Sequence, residues 1–234
     1  VVINKYIGHL KKHFEDNRDN EKAIPMKKYM KDHFEFLGIP SPIRIDLTKQ
    51  FFKEYGIPEG KDLHTIINLL WELPEREYQY IALSILDKKK KQLSETDIPF
   101  LEDLITNKSW WDTIDAIAPN YLGLILKKNP TIVETYVNKW LSSDNIWLNR
   151  TAILFQLKYK KDTNKELLFN IISKLAHSNE FFIRKAIGWA LREYSKTDPV
   201  AVTVFIEENN DQLSPLSKRE GMKVINKKKK EAGM

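Results

Sequence analysis

SDNIWLNRTAILFQLKY, Ser143 to Tyr159, read against SNEFFIRKAIGWALREY, Ser178 to Tyr194, decides how this chain is built. At a spacing of 34 positions Asn145 meets Asn179, Trp147 meets Phe181 and Arg150 meets Arg184. Ala152 then meets Ala186, Ile153 meets Ile187 and Leu157 meets Leu191. Alanine alone is common enough to coincide, but an ordered series of Asn, aromatic, Arg, Ala, Ile and Leu marks an internal repeat. Carried backwards, the same register lands on Ala118 and, displaced by two, near Ala82. A small residue at one point of each unit lets neighbouring helices approach closely, as stacked helix pairs require.

Outward from this pair the rest of the chain reads the same way. Apolar residues recur three and four apart, and alternating β-branched runs are missing. In LHTIINLLWEL the stripe is Leu63, Ile66, Ile67, Leu70 and Trp71. Prolines stand where helices should begin: Pro74 before EREYQYIALSIL, Pro130 before TIVETYVNKWL, and Pro199 after Thr197 and Asp198. The expected fold is all-α, an α-solenoid of HEAT-like helix-pair repeats stacked right-handedly, curved, with one concave face. No linker interrupts it, so residues 1–234 are expected to form a single domain ending in a basic tail over 227–234.

The composition is that of an ordered soluble protein: 42% hydrophobic and 30% charged, with Gly and Pro at 8 and 10 residues. No stretch is apolar for long enough to span a membrane. The opening VVINKYIGHLKKHF mixes lysines into a helical pattern and lacks the apolar core of a signal peptide, so a cytoplasmic location is expected. Zero cysteines exclude disulfides and thiol chemistry. The net charge of +6 is concentrated at Lys88–Lys91, at Lys158 with Lys160 and Lys161, at Arg184 with Lys185, and at Lys227–Lys230. Such an excess suits a polyanion partner without demanding one.

Motifs for other chemistry are weak or missing. His9 and His13 have a chelating spacing on a helix, but with no HExxH pattern and no cysteine they read as surface histidines, and no metal is expected. Neither GxxxxGK[ST] nor GxGxxG occurs, and no serine has a GxSxG context, so no cofactor is expected. Three aromatic groupings remain. KSWWDTIDAIAP, Lys108 to Pro119, holds Trp110, Trp111, Asp112 and Asp115; Trp147 accompanies Arg150; and Phe181, Phe182 and Trp189 accompany Arg184 and Lys185. Each tryptophan alone could simply pack between helices. Asp112, three residues after a possible N-cap at Ser109, fits the role of a helix-start acid. Asp115, on the same helical face as Trp111, is left without a structural role.

KSWWDTIDAIAP, SDNIWLNRTAILFQLKY, EFFIRKAIGWALREYSKTDP and PLSKRE together resemble the bacterial HEAT-like-repeat alkylpurine DNA glycosylases, the AlkD-type DNA alkylation repair enzymes. The likeness extends through most of the chain, from KAIPMKKYMKDHFEFLGI onward, and includes LWELPEREYQYIALSIL. It implies removal of N3- and N7-alkylated purines from duplex DNA by hydrolysis of the N-glycosidic bond. By the same likeness the catalytic aspartate is Asp115, the cleft tryptophans are Trp111 and Trp189, the cleft arginine that holds DNA is Arg150, and Tyr29 touches DNA. Pro40, in GIPSP, departs from the polar residue expected there. Phe181, Phe182, Arg184 and Lys185 complete the candidate DNA-binding set. About 100° per residue in the repeat register puts Asp115, Trp111 and Trp189 on a broad common face but Arg150 on another side, so Arg150 enters through the resemblance alone.

The implied chemistry answers why a carboxylate sits beside an indole. An alkylated purine is a cation, and its departure leaves a sugar of oxocarbenium character. Indole faces attract cations, and a carboxylate opposes the charge that develops on the sugar while orienting and deprotonating water. An already charged base needs no general acid to leave. The expected partner is double-stranded DNA carrying alkylated purines, met by a bacterial monomer that works at the nucleoid when bound. The alternative is a non-catalytic HEAT-like scaffold for DNA or protein, which explains the solenoid, the charge and the tryptophans but not Asp115 beside Trp111.

Overall fold

The structure, a computed structural model, describes residues 3–231. It is helical throughout; among the described residues the only β-type pairing is one isolated bridge between Glu35 and Glu75. No helix among them is long and apolar enough to cross a membrane. The chain falls into two compact units, one up to Gln92 and one from Leu93.

The first unit comprises α1 (Ile3–Glu15), α2 (Asn20–Tyr29), α3 (Ser41–Tyr55), α4 (Lys61–Glu72) and α5 (Arg76–Lys89). Tyr6, Leu10 and Phe14, four apart along α1, are buried where α1 packs on α3 and α4, and Tyr6 meets Phe51 edge-on at 5.1 Å. The expected stripe Leu63, Ile66, Ile67, Leu70 and Trp71 is the buried face of α4. His9 and His13 are packed rather than free surface groups: His9 stacks on Tyr55 at 4.8 Å, and His13 Nε2 lies 3.1 Å from the Leu47 carbonyl. Three and five residues past Pro74, the start of α5 buries polar groups that close off loose backbone ends. Glu77 accepts from the N–H groups of Leu37, Gly38 and Ile39 at 2.9 to 3.1 Å, and the Gln79 amide donates to the Leu70, Trp71 and Leu73 carbonyls at the end of α4.

The second unit comprises α6 (Ile98–Thr106), α7 (Trp111–Ile117), α8 (Gly123–Lys128), α9 (Val133–Leu141), α10 (Ile146–Leu154), α11 (Lys165–Leu175), α12 (Phe181–Tyr194), α13 (Pro199–Glu208), α14 (Pro215–Gly221) and α15 (Lys223–Glu231). In the helix stack α10 lies between α7 and α12, and α12 packs on α14; α9 and α11 back onto α10, and α13 onto α12. The repeat's small residues sit where the helices meet, since Ala118, Ala152 and Ala186 are all fully buried. At two points even alanine would be too large. A Cβ on Gly123 would stand 2.2 Å from the Phe155 carbonyl oxygen, and one on Gly188 would stand 2.6 Å from Glu220 Cβ.

Helix starts follow the sequence signals in most places. Asn145, Asn164, Asp198 and Ser214 accept from backbone N–H groups at the starts of α10, α11, α13 and α14, and Pro199 is the first residue of α13. Pro130 opens a short 3-10 turn, Pro130–Ile132, ahead of α9. α7 runs directly into α8 through a π-helical turn, Ala118–Leu122. The cause is Pro119, which has no N–H to return to the carbonyl of Asp115 and whose ring crowds it. Asn120 donates its side-chain amide to the Ala116 carbonyl at 2.7 Å, inside the widened turn. At the C-terminus, Lys227–Lys230 of the expected basic tail belong to α15, and residues 232–234 lie outside the described residues.

Candidate active site

The site is built at the start of α7. Ser109, expected as its N-cap, instead turns back and donates to the Ile105 carbonyl at 2.6 Å, closing α6. The reason lies in the backbone: Lys108 has a left-handed φ of 49°, Trp110 is extended, and the helix begins only at Trp111 with Trp110 as its N-cap. Asp112 therefore stands in the first turn, where the helix dipole favours it, without a cap from Ser109. Asp115 lies one turn further along.

Across the α7–α10 contact, Arg150 grips Asp115 in a two-point fork, Nε to Oδ1 at 2.8 Å and Nη2 to Oδ2 at 2.9 Å. A third donor, Nη1, goes to the main-chain carbonyl of Phe182 in the first turn of α12. Arg150's side chain is only 5% exposed, while Asp115's remains 18% exposed. Arg150 is therefore not on another side from Asp115, as the angular register implied, but its direct partner. The burial also gives Asp115 the structural role that the sequence lacked.

Burial pushes the Asp115 carboxyl above the ordinary aspartate range; the hydrogen bonds and charge of Arg150 pull the other way, and the nearby charge of Asp112 adds to the rise. With a permanently charged guanidinium on both oxygens, Asp115 is a carboxylate at neutral pH. What results is a fixed negative charge with one edge open to solvent. It can face a developing cation without moving.

Aromatic rings cluster where the same helices begin. The ring of Trp110 lies 5.0 Å from Phe182 and 5.7 Å from Trp147, and Trp147 lies 5.1 Å from Phe182. The three groupings that the sequence offered separately thus converge at the starts of α7, α10 and α12. Phe181, packed edge-on against Phe182 at 5.4 Å, is 57% exposed. Trp111, the first residue of α7, and Trp189, on α12, are half-buried. Two basic candidates are occupied elsewhere. Arg184 braces its own loop, donating to the Ser178 carbonyl at 2.8 Å and to Asn179 Oδ1, and Lys185 pairs with Glu220 at 3.5 Å. The repeat partners have diverged here: Asn145 caps α10 while Asn179 holds Arg184, and Arg150 reaches Asp115 while Arg184 stays local. In the first unit, Tyr29 ends α2 and is 68% exposed on the wall of an open, largely apolar groove of about 440 Å³ shared with Met26, Phe36, Arg44 and Tyr80. Among the described residues no group of three or more His, Asp or Glu side chains is placed to hold a metal ion.

Residues 10–225 match the family described as DNA alkylation repair enzyme. Among solved structures the chain is similar to a predicted DNA alkylation repair enzyme from Enterococcus faecalis, at 36% identity and a TM-score of 0.80, over 88% of this chain and 95% of that one. The smu.31 protein of Streptococcus mutans UA159, at 18% identity and a TM-score of 0.54 over 76% and 95% of the two chains, shares the fold. Comparison with curated proteins gave no match. A family match running from residue 10 to 225, joined to 36% identity over nearly the whole of a related structure, shows that this chain belongs to the DNA alkylation repair enzyme family.

Proposed function

We propose that the protein is a DNA glycosylase that hydrolyses the N-glycosidic bond of cationic N3- and N7-alkylated purines in duplex DNA. The observation that carries this reading is the Asp115 carboxylate, locked by a buried arginine yet open along one edge, four residues from Trp111 on the same helix. The bond from C1′ to the purine nitrogen breaks with its electron pair going to the base, which leaves neutral. Asp115 opposes the positive charge left on the sugar, then takes a proton from the water that adds to C1′. Trp111 and Trp189 offer ring faces to the cationic base and sugar. The lesion already carries the charge a general acid would otherwise supply. Phe181, exposed beside this site, presents apolar surface to the opened duplex.

A non-catalytic scaffold for DNA or protein is the second reading, and the same ion pair favours it, because a buried Arg150 needs Asp115 whether or not chemistry occurs. Base release separates the two. A duplex oligonucleotide containing one 7-methylguanine should yield free base and an abasic site, while a duplex carrying a neutral damaged base should be released far more slowly. Binding without release of the methylpurine would establish the scaffold reading.

A further inference from the structure

Three successive helices of the stack each begin with an aromatic ring in one cluster: Trp110 just before α7, Trp147 in the first turn of α10 and Phe182 in the first turn of α12. The same three helices supply Asp115, Arg150 and the carbonyl that receives Arg150's third donor. That carbonyl belongs to Phe182, whose ring touches both tryptophans at 5.0 and 5.1 Å. Trp147 stands one turn before Arg150 on α10, so it lies on the same side of that helix. Two hydrogen bonds orient Arg150 and Asp115 toward each other, but both side chains could still swing as a pair. A long arginine stem has many rotamers, and only a further anchor fixes the fork relative to the fold. The Phe182 carbonyl is that anchor, and the ring contacts set its distance from α10.

We infer that Trp110, Trp147 and Phe182 are positioning residues: their ring cluster sets the spacing of the α7, α10 and α12 starts, so that the Phe182 carbonyl holds Arg150, and Arg150 holds the Asp115 carboxylate, in the working orientation. The inference rests on the reading of Asp115 as the catalytic carboxylate. It assigns these rings a task beyond packing, and one that does not require them to touch DNA.

The charged groups acting on Asp115 are Arg150 from α10 and Asp112 on its own helix. If the clamp is loosened, Arg150 withdraws from the carboxylate, which then protonates at higher pH. Phe182→Leu and Trp147→Leu should lower the base-release rate from a 7-methylguanine duplex by about ten- to a hundredfold, the scale of a displaced catalytic group. They should also move the acid limb of the rate to higher pH, with DNA affinity changed less than about twofold. Phe182→Tyr, which keeps ring and carbonyl, should restore the wild-type limb. Phe169→Leu is the control for packing alone: its ring stacks on Phe205 at 4.2 Å and makes no ring contact with the cluster, so it should cost stability and leave the pH profile in place. A readout independent of turnover is the Arg150 Nε–H resonance, which should exchange faster with water in Phe182→Leu. If the leucine variants kept the wild-type limb and a protected Arg150 resonance while Asp115→Asn was inactive, the clamp would be overturned and the catalytic reading kept. Wild-type excision by Asp115→Asn would overturn both.

Discussion

Replacing Asp115 by asparagine perturbs two things at once, and the structure allows them to be separated. Arg150 is 5% exposed, so Asp115→Asn leaves a buried guanidinium with no counter-charge and turns one of its two contacts into a donor facing a donor. Breaking a buried pair by removing one partner costs about 3 to 5 kcal/mol; because asparagine still accepts one bond and the Phe182 carbonyl keeps another, about 3 kcal/mol is expected here. For a chain of this length that lowers Tm by roughly 6 to 12 °C. The base-release rate should fall by about two to three orders of magnitude, the usual cost of losing one preorganised electrostatic group. Asp115→Leu combined with Arg150→Met removes both charges and leaves only the Phe182 carbonyl without its donor, a loss of about 1 kcal/mol. The double variant should therefore recover most of the stability, measured as the urea midpoint, while base release stays lost. Reasoning from a buried coupled pair would be refuted by an asparagine variant as stable as wild type. A double variant that recovered activity along with stability would show that Asp115 serves the fold and not the reaction.

Four further outcomes follow from the same geometry. Because Asp115 must be ionised to act and burial raises its pKa, the acid limb of base release should lie above the ordinary aspartate value of roughly 4 and vanish from the residual rate of Asp115→Asn. The sign for stability is the reverse: a folded pKa above the unfolded one means that the native state binds the extra proton, so unfolding free energy should fall as pH rises through that window, and urea midpoints for Asp115→Asn should lack this slope. Trp111→Ala should slow release of a cationic methylpurine by about 2- to 30-fold, the equivalent of one cation–π contact, and should affect a neutral lesion less; equal losses on both would remove the cation from its role. Arg150→Met should leave the slope of log affinity against log salt for undamaged duplex unchanged, because the guanidinium is buried against Asp115 and Phe182; a slope smaller by about 0.9 would mean that Arg150 meets a phosphate after all.

Much of the fold was legible because the signals were local. The repeat from Asn145 to Leu191, the stripe on α4 and the prolines at or just before the starts of α5, α9 and α13 each show as spacing along the chain. Asp115 and Trp111 could be paired for the same reason, being four residues apart. Arg150 could not be placed this way: a side chain on α10 that meets Asp115 must point back toward α7, so facing residues on neighbouring helices lie at opposed, not equal, angles. The misread cap at Ser109 has another cause, since nothing in NKSWW announces that Lys108 takes a left-handed φ and delays the helix to Trp111. The convergence of Trp110, Trp147 and Phe182 was unreadable because it joins three helices that only the packing brings together.

Ile114, Ala118, Leu122 and Leu126 are all fully buried, a row at steps of four across α7, the π turn and α8. In an unbroken α-helix each such step overshoots a full turn by about 40°, and three steps would carry the row roughly 120° around the axis. The wider turn at Ala118–Leu122 takes up part of that drift, so it behaves as one surplus residue absorbed without a loop. The facing of Asp115 relative to the buried Leu126 is thereby set with one residue to spare. A one-residue deletion at Asn120 would therefore use up the surplus and leave Asp115 facing its guanidinium, while a second deletion there, with nothing left to absorb it, would swing Asp115 about 100° away. In relatives, the length of this segment should therefore vary by one residue at most, and a family member two residues shorter here would have lost the geometry while keeping every side chain.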